Sequence, residues 1–237
     1  MLECRSLTVR RGAVEVIPSL DLEISTGVNL LLGDNGAGKS TLLATILGLV
    51  PYQRGELTFG GRIISEPGAR ASMYYLPERF QPPWYLTGYE FLSYALGLRA
   101  QSLDRRRADV VASKLTLDPE LLRRRASEFS KGMTQKLGLV AAFLSNARML
   151  VLDEPTSGLD PTARAAFLTE VEAAYIREQR SFLMTTHALG DATRLSGSVH
   201  ACLTLMRSGR LVRQGQLPKL LAETRLPDLD SIYANAQ

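Results

Sequence analysis

One octapeptide constrains this chain more than any other feature. Gly33-Asp-Asn-Gly-Ala-Gly-Lys-Ser40 fits G-x-x-x-x-G-K-S/T at every fixed position. It lies between Val28 to Leu32, a short apolar run, and Lys39 to Gly48, whose Leu42, Leu43, Ile46 and Leu47 recur at helical spacing. Strand, glycine loop and helix in that order are the setting in which such a loop holds phosphate. Gly33, Gly36 and Gly38 let backbone N–H groups close around phosphate oxygens, with Asn35, Ala37 and Thr41 in the same stretch, and the helix N-terminus adds positive potential. Lys39 can reach β- and γ-phosphates, and the Ser40 hydroxyl can ligate Mg²⁺. The bland alternative is an ordinary glycine turn. With glycine near ~7% of residues, chance supplies the pattern in roughly one chain of this length in a hundred, and the strand-to-helix setting lowers that further.

An acidic pair points the same way. Met149-Leu-Val-Leu-Asp153-Glu154 puts two carboxylates at the end of a buried apolar strand. There Asp153 can hold Mg²⁺ through water while Glu154 polarises an attacking water. Acidic strand ends are common, so alone the pair reads equally well as a polar turn. Behind a phosphate loop it reads as part of a nucleotide hydrolase.

Along the chain, strands alternate with helices, which predicts an α/β fold with a mostly parallel sheet flanked by helices. The start differs: Leu2 to Val9 and Leu20 to Ile24 alternate apolar and polar residues around Arg11-Gly12, as a half-exposed antiparallel layer does. Gly55 to Ile64 reads as a hairpin through Gly60-Gly61, and Met73 to Leu76 as a buried strand. Residues 79–129 read as a helical insertion, Lys131 to Leu144 as a helix, Asp160-Pro161 as a capped helix start and Ser181 to Thr185 as a strand. The chain thus divides into an α/β core of 1–78 and 130–215, the insertion, and a short helical tail, 216–237.

Composition removes several classes of function. The 237 residues suffice for one elaborated domain without disulfides or structural metal. Cys4 and Cys202, with only two histidines, are too few for a disulfide scaffold or a four-ligand zinc site, and a reducing compartment is the default. The 28 Lys+Arg against 24 Asp+Glu leave +4, far from the like-charge blocks of a nucleic-acid tail. No signal peptide opens the chain, and no apolar stretch nears the ~20 residues of a bilayer-spanning helix.

Four further motifs follow the loop: Tyr75-Leu-Pro-Glu78, Phe129-Ser-Lys-Gly-Met133-Thr, Ser157-Gly-Leu-Asp160, and His187 after Phe182-Leu-Met-Thr-Thr186. They resemble the Q-loop, signature, D-loop and switch histidine of the ATP-binding subunits of ABC transporters, and the resemblance runs from about residue 2 to 215. It implies a P-loop NTPase (RecA-like) fold, Mg²⁺-dependent ATP hydrolysis, and a head-to-tail dimer with two ATP molecules at its interface. Carried onto these residues, it implies catalytic roles for Glu154, His187 and Lys39, and metal contacts from Ser40, Asp153 and Glu78. Ser130 and Gly132 of the opposite subunit would reach the γ-phosphate, with Asp160 also at the nucleotide. A separate membrane permease is the implied partner, along with a second ATPase subunit, identical or not. The implied location is cytoplasmic, on the inner face of the cell membrane.

Three departures from the family pattern stand out. Where the family usually stacks an aromatic on adenine, Val9-Arg10-Arg11-Gly12 offers Arg11, whose guanidinium plane can stack on a base. Glu78 stands where glutamine is commonest and, ionised, cannot donate as an amide does. The signature reads Ser-Lys-Gly-Met-Thr in place of Ser-Gly-Gly-Gln. The last two resemble subunits paired with exporter-type permeases.

Of 8 Tyr, 7 Phe and 1 Trp, half fall between Tyr74 and Tyr94. Phe80 to Tyr85, interrupted by Pro82-Pro83, is expected to form an exposed loop that docks the permease, with core packing the alternative for each single ring. Some relatives act instead on nucleic acid or ribosomes, and Arg105-Arg106-Arg107 and Arg123-Arg124-Arg125 are the candidates for phosphate contact. Acidic neighbours Asp104, Asp109, Asp118 and Glu120 favour solvated helix faces, and no nucleic-acid partner is expected.

Overall fold

Val28–Leu32 is buried at all five positions, which a strand tolerates only when both faces of its sheet are covered. In the computed structural model, which describes residues 1–66 and 68–235, two sheets and a layer of helices provide that cover. The first sheet is antiparallel, with β1 (Leu2–Arg11), β2 (Val14–Ile24), β4 (Arg54–Phe59) and β5 (Arg62–Ile63) in the order β2-β1-β4-β5. The second contains β3 (Val28–Leu32), β6 (Met73–Leu76), β7 (Met149–Leu152), β8 (Ser181–Thr186), β9 (Cys202–Arg207) and β10 (Arg210–Gln216). Its order is β10-β9-β3-β8-β7-β6, and every pairing is parallel except β9 with β10.

The period of two along these strands divides the interior into two cores. Val28, Leu30 and Leu32 of β3, Leu150 and Leu152 of β7, and Phe182 and Met184 of β8 face the helical layer. Leu31, Val151 and Leu183 face the antiparallel sheet and α1 (Lys39–Ile46). The helical layer holds α2 (Gly88–Gly97), α3 (Arg105–Lys114), α4 (Lys131–Leu144), α5 (Pro161–Glu178) and α6 (Leu189–Val199), with 3-10 turns at Pro119–Arg123 and Ala126–Glu128. Leu92, Ala108 and Leu122 share one core with Leu137 and Leu150, so the inserted helices are packed into the same interior as the sheet. The tail forms α7 (Leu217–Thr224) and α8 (Leu229–Asn235); its last two residues, 236 and 237, lie outside the described residues.

Two elements differ from the sequence pattern. β2 begins at Val14, six residues before the alternation becomes visible at Leu20, because bulges between Cys4 and Leu7, Leu7 and Val9, and Val9 and Arg10 break the period of its pairing with β1. The pattern also missed α6, in which Gly190 and Gly197 lower helix propensity while Ala192, Leu195 and Val199 bury one face.

Part of the arginine surplus is internal. Arg180, 6% exposed, donates to the carbonyls of Ala142, Phe143, Ser145 and Ala147. It thereby satisfies the C-terminal carbonyls of α4 just before β7 and fixes the start of the strand that delivers Asp153. Burial lowers its pKa, although Glu178 lies 3.7 Å away. Among the described residues no helix is long and apolar enough to cross a membrane.

Candidate nucleotide-binding site

The loop after β3 needs glycine for stated reasons. At Gly33 a side chain would run into the carbonyl oxygen of Met206 on β9, and Gly36 sits at φ +87. Lys39, 6% exposed, is the first residue of α1, and its Nζ donates to the loop carbonyls of Gly33 at 2.5 Å and Asp34 at 3.1 Å. A buried ammonium requires such partners, and phosphate oxygens could replace them.

The end of β7 supplies the carboxylates. Asp153, 4% exposed, accepts from Thr185 Oγ1 at 2.5 Å and from Ser40 Oγ at 3.4 Å. The same Thr185 oxygen accepts the Glu154 N–H at 2.8 Å. One hydroxyl on β8 therefore orients both acidic residues. Glu154 takes φ +48, an uncommon conformation for a side chain other than glycine. His187, on the turn after β8 and 68% exposed, brings Nδ1 to 2.8 Å from Glu154 Oε2. Burial first, then the charges of Asp153 and Glu78, pushes the Tyr75 phenol up to about 12, so it stays neutral beside them.

These groups surround a cleft of about 400 Å³ lined by Val16, Asp34, Asn35, Gly36, Gly38, Lys39, Ser40, Thr41, Glu78, Glu154 and His187. Gly33, Ala37 and Asp153 are buried and are not part of that lining. Four others expected at the nucleotide are also absent from the lining. Arg11 is exposed at the end of β1, opposite Val14, and Val16 takes the lining position on that side. Ser130 caps α4 through the Met133 N–H, and a Cβ at Gly132 would lie 3.0 Å from the Gly158 carbonyl. Asp160 caps α5 through the Ala163 N–H and pairs with Lys136 at 3.3 Å; that N–H, followed by Lys136, holds its carboxyl below the usual range.

Sequence reasoning passed over Thr185 and Val16. Thr185 lies in the run before His187 without a role of its own in that motif, and a valine in an edge hairpin carries none; only the fold brings Thr185 to Asp153 and Val16 to the cleft.

The donors present suit a hard divalent cation. Ser40 Oγ and the buried Asp153 carboxylate both offer hard oxygen atoms beside the glycine loop. Among the described residues no group of three His, Cys, Asp or Glu converges as a metal site, so these two would share the cation with phosphate oxygens and water.

Known proteins agree with this geometry. The profile of the ABC transporter family matches residues 18–157. The ABC-type transporter ATP-binding protein EcsA of Bacillus subtilis is 31% identical over 86% of this chain and 82% of its own length. The zinc import ATP-binding protein ZnuC of Cereibacter sphaeroides is 34% identical over 80% of this chain and 73% of its own. Another curated relative is longer, and the chain spans 58% of it. A solved ATP-binding subunit of an ABC transporter superposes with a TM-score of 0.85 at 28% identity, covering 100% of this chain and 99% of that one. The chain belongs to the ABC transporter family and is a nucleotide-binding domain of it.

Proposed function

We propose that this chain hydrolyses ATP to drive a separate membrane permease, working as one half of a head-to-tail dimer. The observation that carries the reading is the Thr185 hydroxyl, which fixes Asp153 and Glu154 together beside a phosphate loop. Lys39 would exchange the Gly33 and Asp34 carbonyls for β- and γ-phosphate oxygens. Ser40 and Asp153, with Glu78 at the rim, would hold Mg²⁺, which supplies charge neutralisation to the phosphates. Glu154, braced by His187, orients a water and accepts its proton as the new O–P bond forms and the bond to the leaving ADP oxygen breaks.

The placement of Ser130 and Gly132 outside this chain's own cleft supports a shared site. Ser130 opens α4 with its hydroxyl and helix N-terminus exposed, a fitting contact for the γ-phosphate of a partner's ATP. Relatives carry both import and export in their names. The export reading rests on Tyr75-Leu-Pro-Glu78 and Phe129-Ser-Lys-Gly-Met133.

The aromatic segment divides in two. Phe80 turns inward against Phe91, ring centroids 5.3 Å apart, while Trp84 and Tyr85 are 68% and 56% exposed. The docking surface is therefore narrower than Phe80 to Tyr85. The Trp84 and Leu86 carbonyls accept the Ser127 and Ala126 N–H groups, which ties this loop to the segment leading into Ser130. Extraction in mild detergent should recover the chain bound to a polytopic membrane protein. Trp84→Ala should weaken that association by about 30-fold or more while ATP binding persists. Recovery of nucleic acid or ribosomes in place of a membrane protein would support the other class.

A further inference from the structure

The second residue of the phosphate loop is an acid. Asp34 lines the cleft that would hold a polyphosphate, where a free carboxylate repels the ligand. It also lines a crevice on the far side of the loop with Met206, Arg207 and Tyr233. There the Tyr233 hydroxyl donates to Asp34 Oδ1 at 2.8 Å. Tyr233 is held at this spot by α8, which buries Leu229 and Ile232 in the helical-side core. Burial, then the bond to Asp34, pushes the phenol up to about 12, so it is a standing donor at neutral pH.

We propose that Tyr233 is a positioning residue of the nucleotide site: its hydroxyl holds the Asp34 carboxylate against α8 and out of the path of the phosphates. The C-terminal helix then forms part of the outer wall of the loop and sets its affinity for ATP. Lys39 contributes to the same arrangement, since its Nζ donates to the Asp34 carbonyl while Tyr233 takes the side chain.

This rests on the cleft being an ATP site, and one titration separates the two claims. Binding of a non-hydrolysable ATP analogue with Mg²⁺ is measured by calorimetry on the full chain and three variants: Tyr233→Phe, Asp34→Asn, and the two combined. Tyr233→Phe should bind about 3- to 10-fold more weakly than wild type, the range for the net loss of one ordinary intramolecular hydrogen bond. The double variant should bind within about twofold of Asp34→Asn, because an uncharged amide has no repulsion to restrain. Equal binding by wild type and Tyr233→Phe would overturn the proposal. So would a loss in Tyr233→Phe that persists undiminished in the Asp34→Asn background, which would mean that the ring acts only through helix packing. No binding by wild type would overturn the ATP reading, and this proposal with it.

Discussion

Glu154→Gln is expected to lower Mg²⁺-dependent ATP turnover by about two to four orders of magnitude, the range that general-base catalysis supplies. The substitution keeps the side-chain shape and the backbone N–H bond to Thr185, so the site should stay assembled. What it removes is the carboxylate that His187 braces at 2.8 Å and that would take the proton of the attacking water. ATP should still bind, and the variant should accumulate as an ATP-bound dimer visible by size exclusion. Phosphate release at the wild-type rate would remove Glu154 from the chemistry.

Lys39→Ala should act on both binding and hydrolysis, with ATP affinity falling by about 100-fold or more as the cation nearest the transferred phosphoryl group is lost. The change has a second consequence in the free protein. Lys39 Nζ satisfies the carbonyls of Gly33 and Asp34, so its removal also releases the loop that must close on phosphate. Fluorescent-nucleotide titration alongside circular dichroism separates these effects: the global fold should be intact while binding disappears. Wild-type affinity in this variant would mean that the loop is not the phosphate site.

The loop was legible in the sequence because its backbone has so few solutions. Glycine is demanded at position 33 by the Met206 carbonyl and at 38 by a positive φ, and such demands leave a fixed spelling. Buried parallel strands were legible for a related reason: Met149–Leu152, and Val28–Leu32 at every position but Asn29, are apolar on both faces. Thr185 was not, because a hydroxyl at a strand end has no spelling of its own until the neighbouring strand places Asp153 beside it. Tyr233 was hidden more deeply, since it meets Asp34 from 199 residues away. The aromatic segment shows the limit of composition: it marks a cluster, but which rings face inward is decided by the neighbours of Phe80 and Trp84.

The shared site is most directly tested by the ATPase rate per subunit as the full chain is diluted at saturating Mg²⁺-ATP. If Ser130 and Gly132 complete the cleft of a partner, specific activity should rise with protein concentration toward a plateau and fall away on dilution, in step with the dimer seen by sedimentation. Constant specific activity down to concentrations at which the chain sediments as a monomer would contradict it, because a single chain would then hold every group the reaction needs.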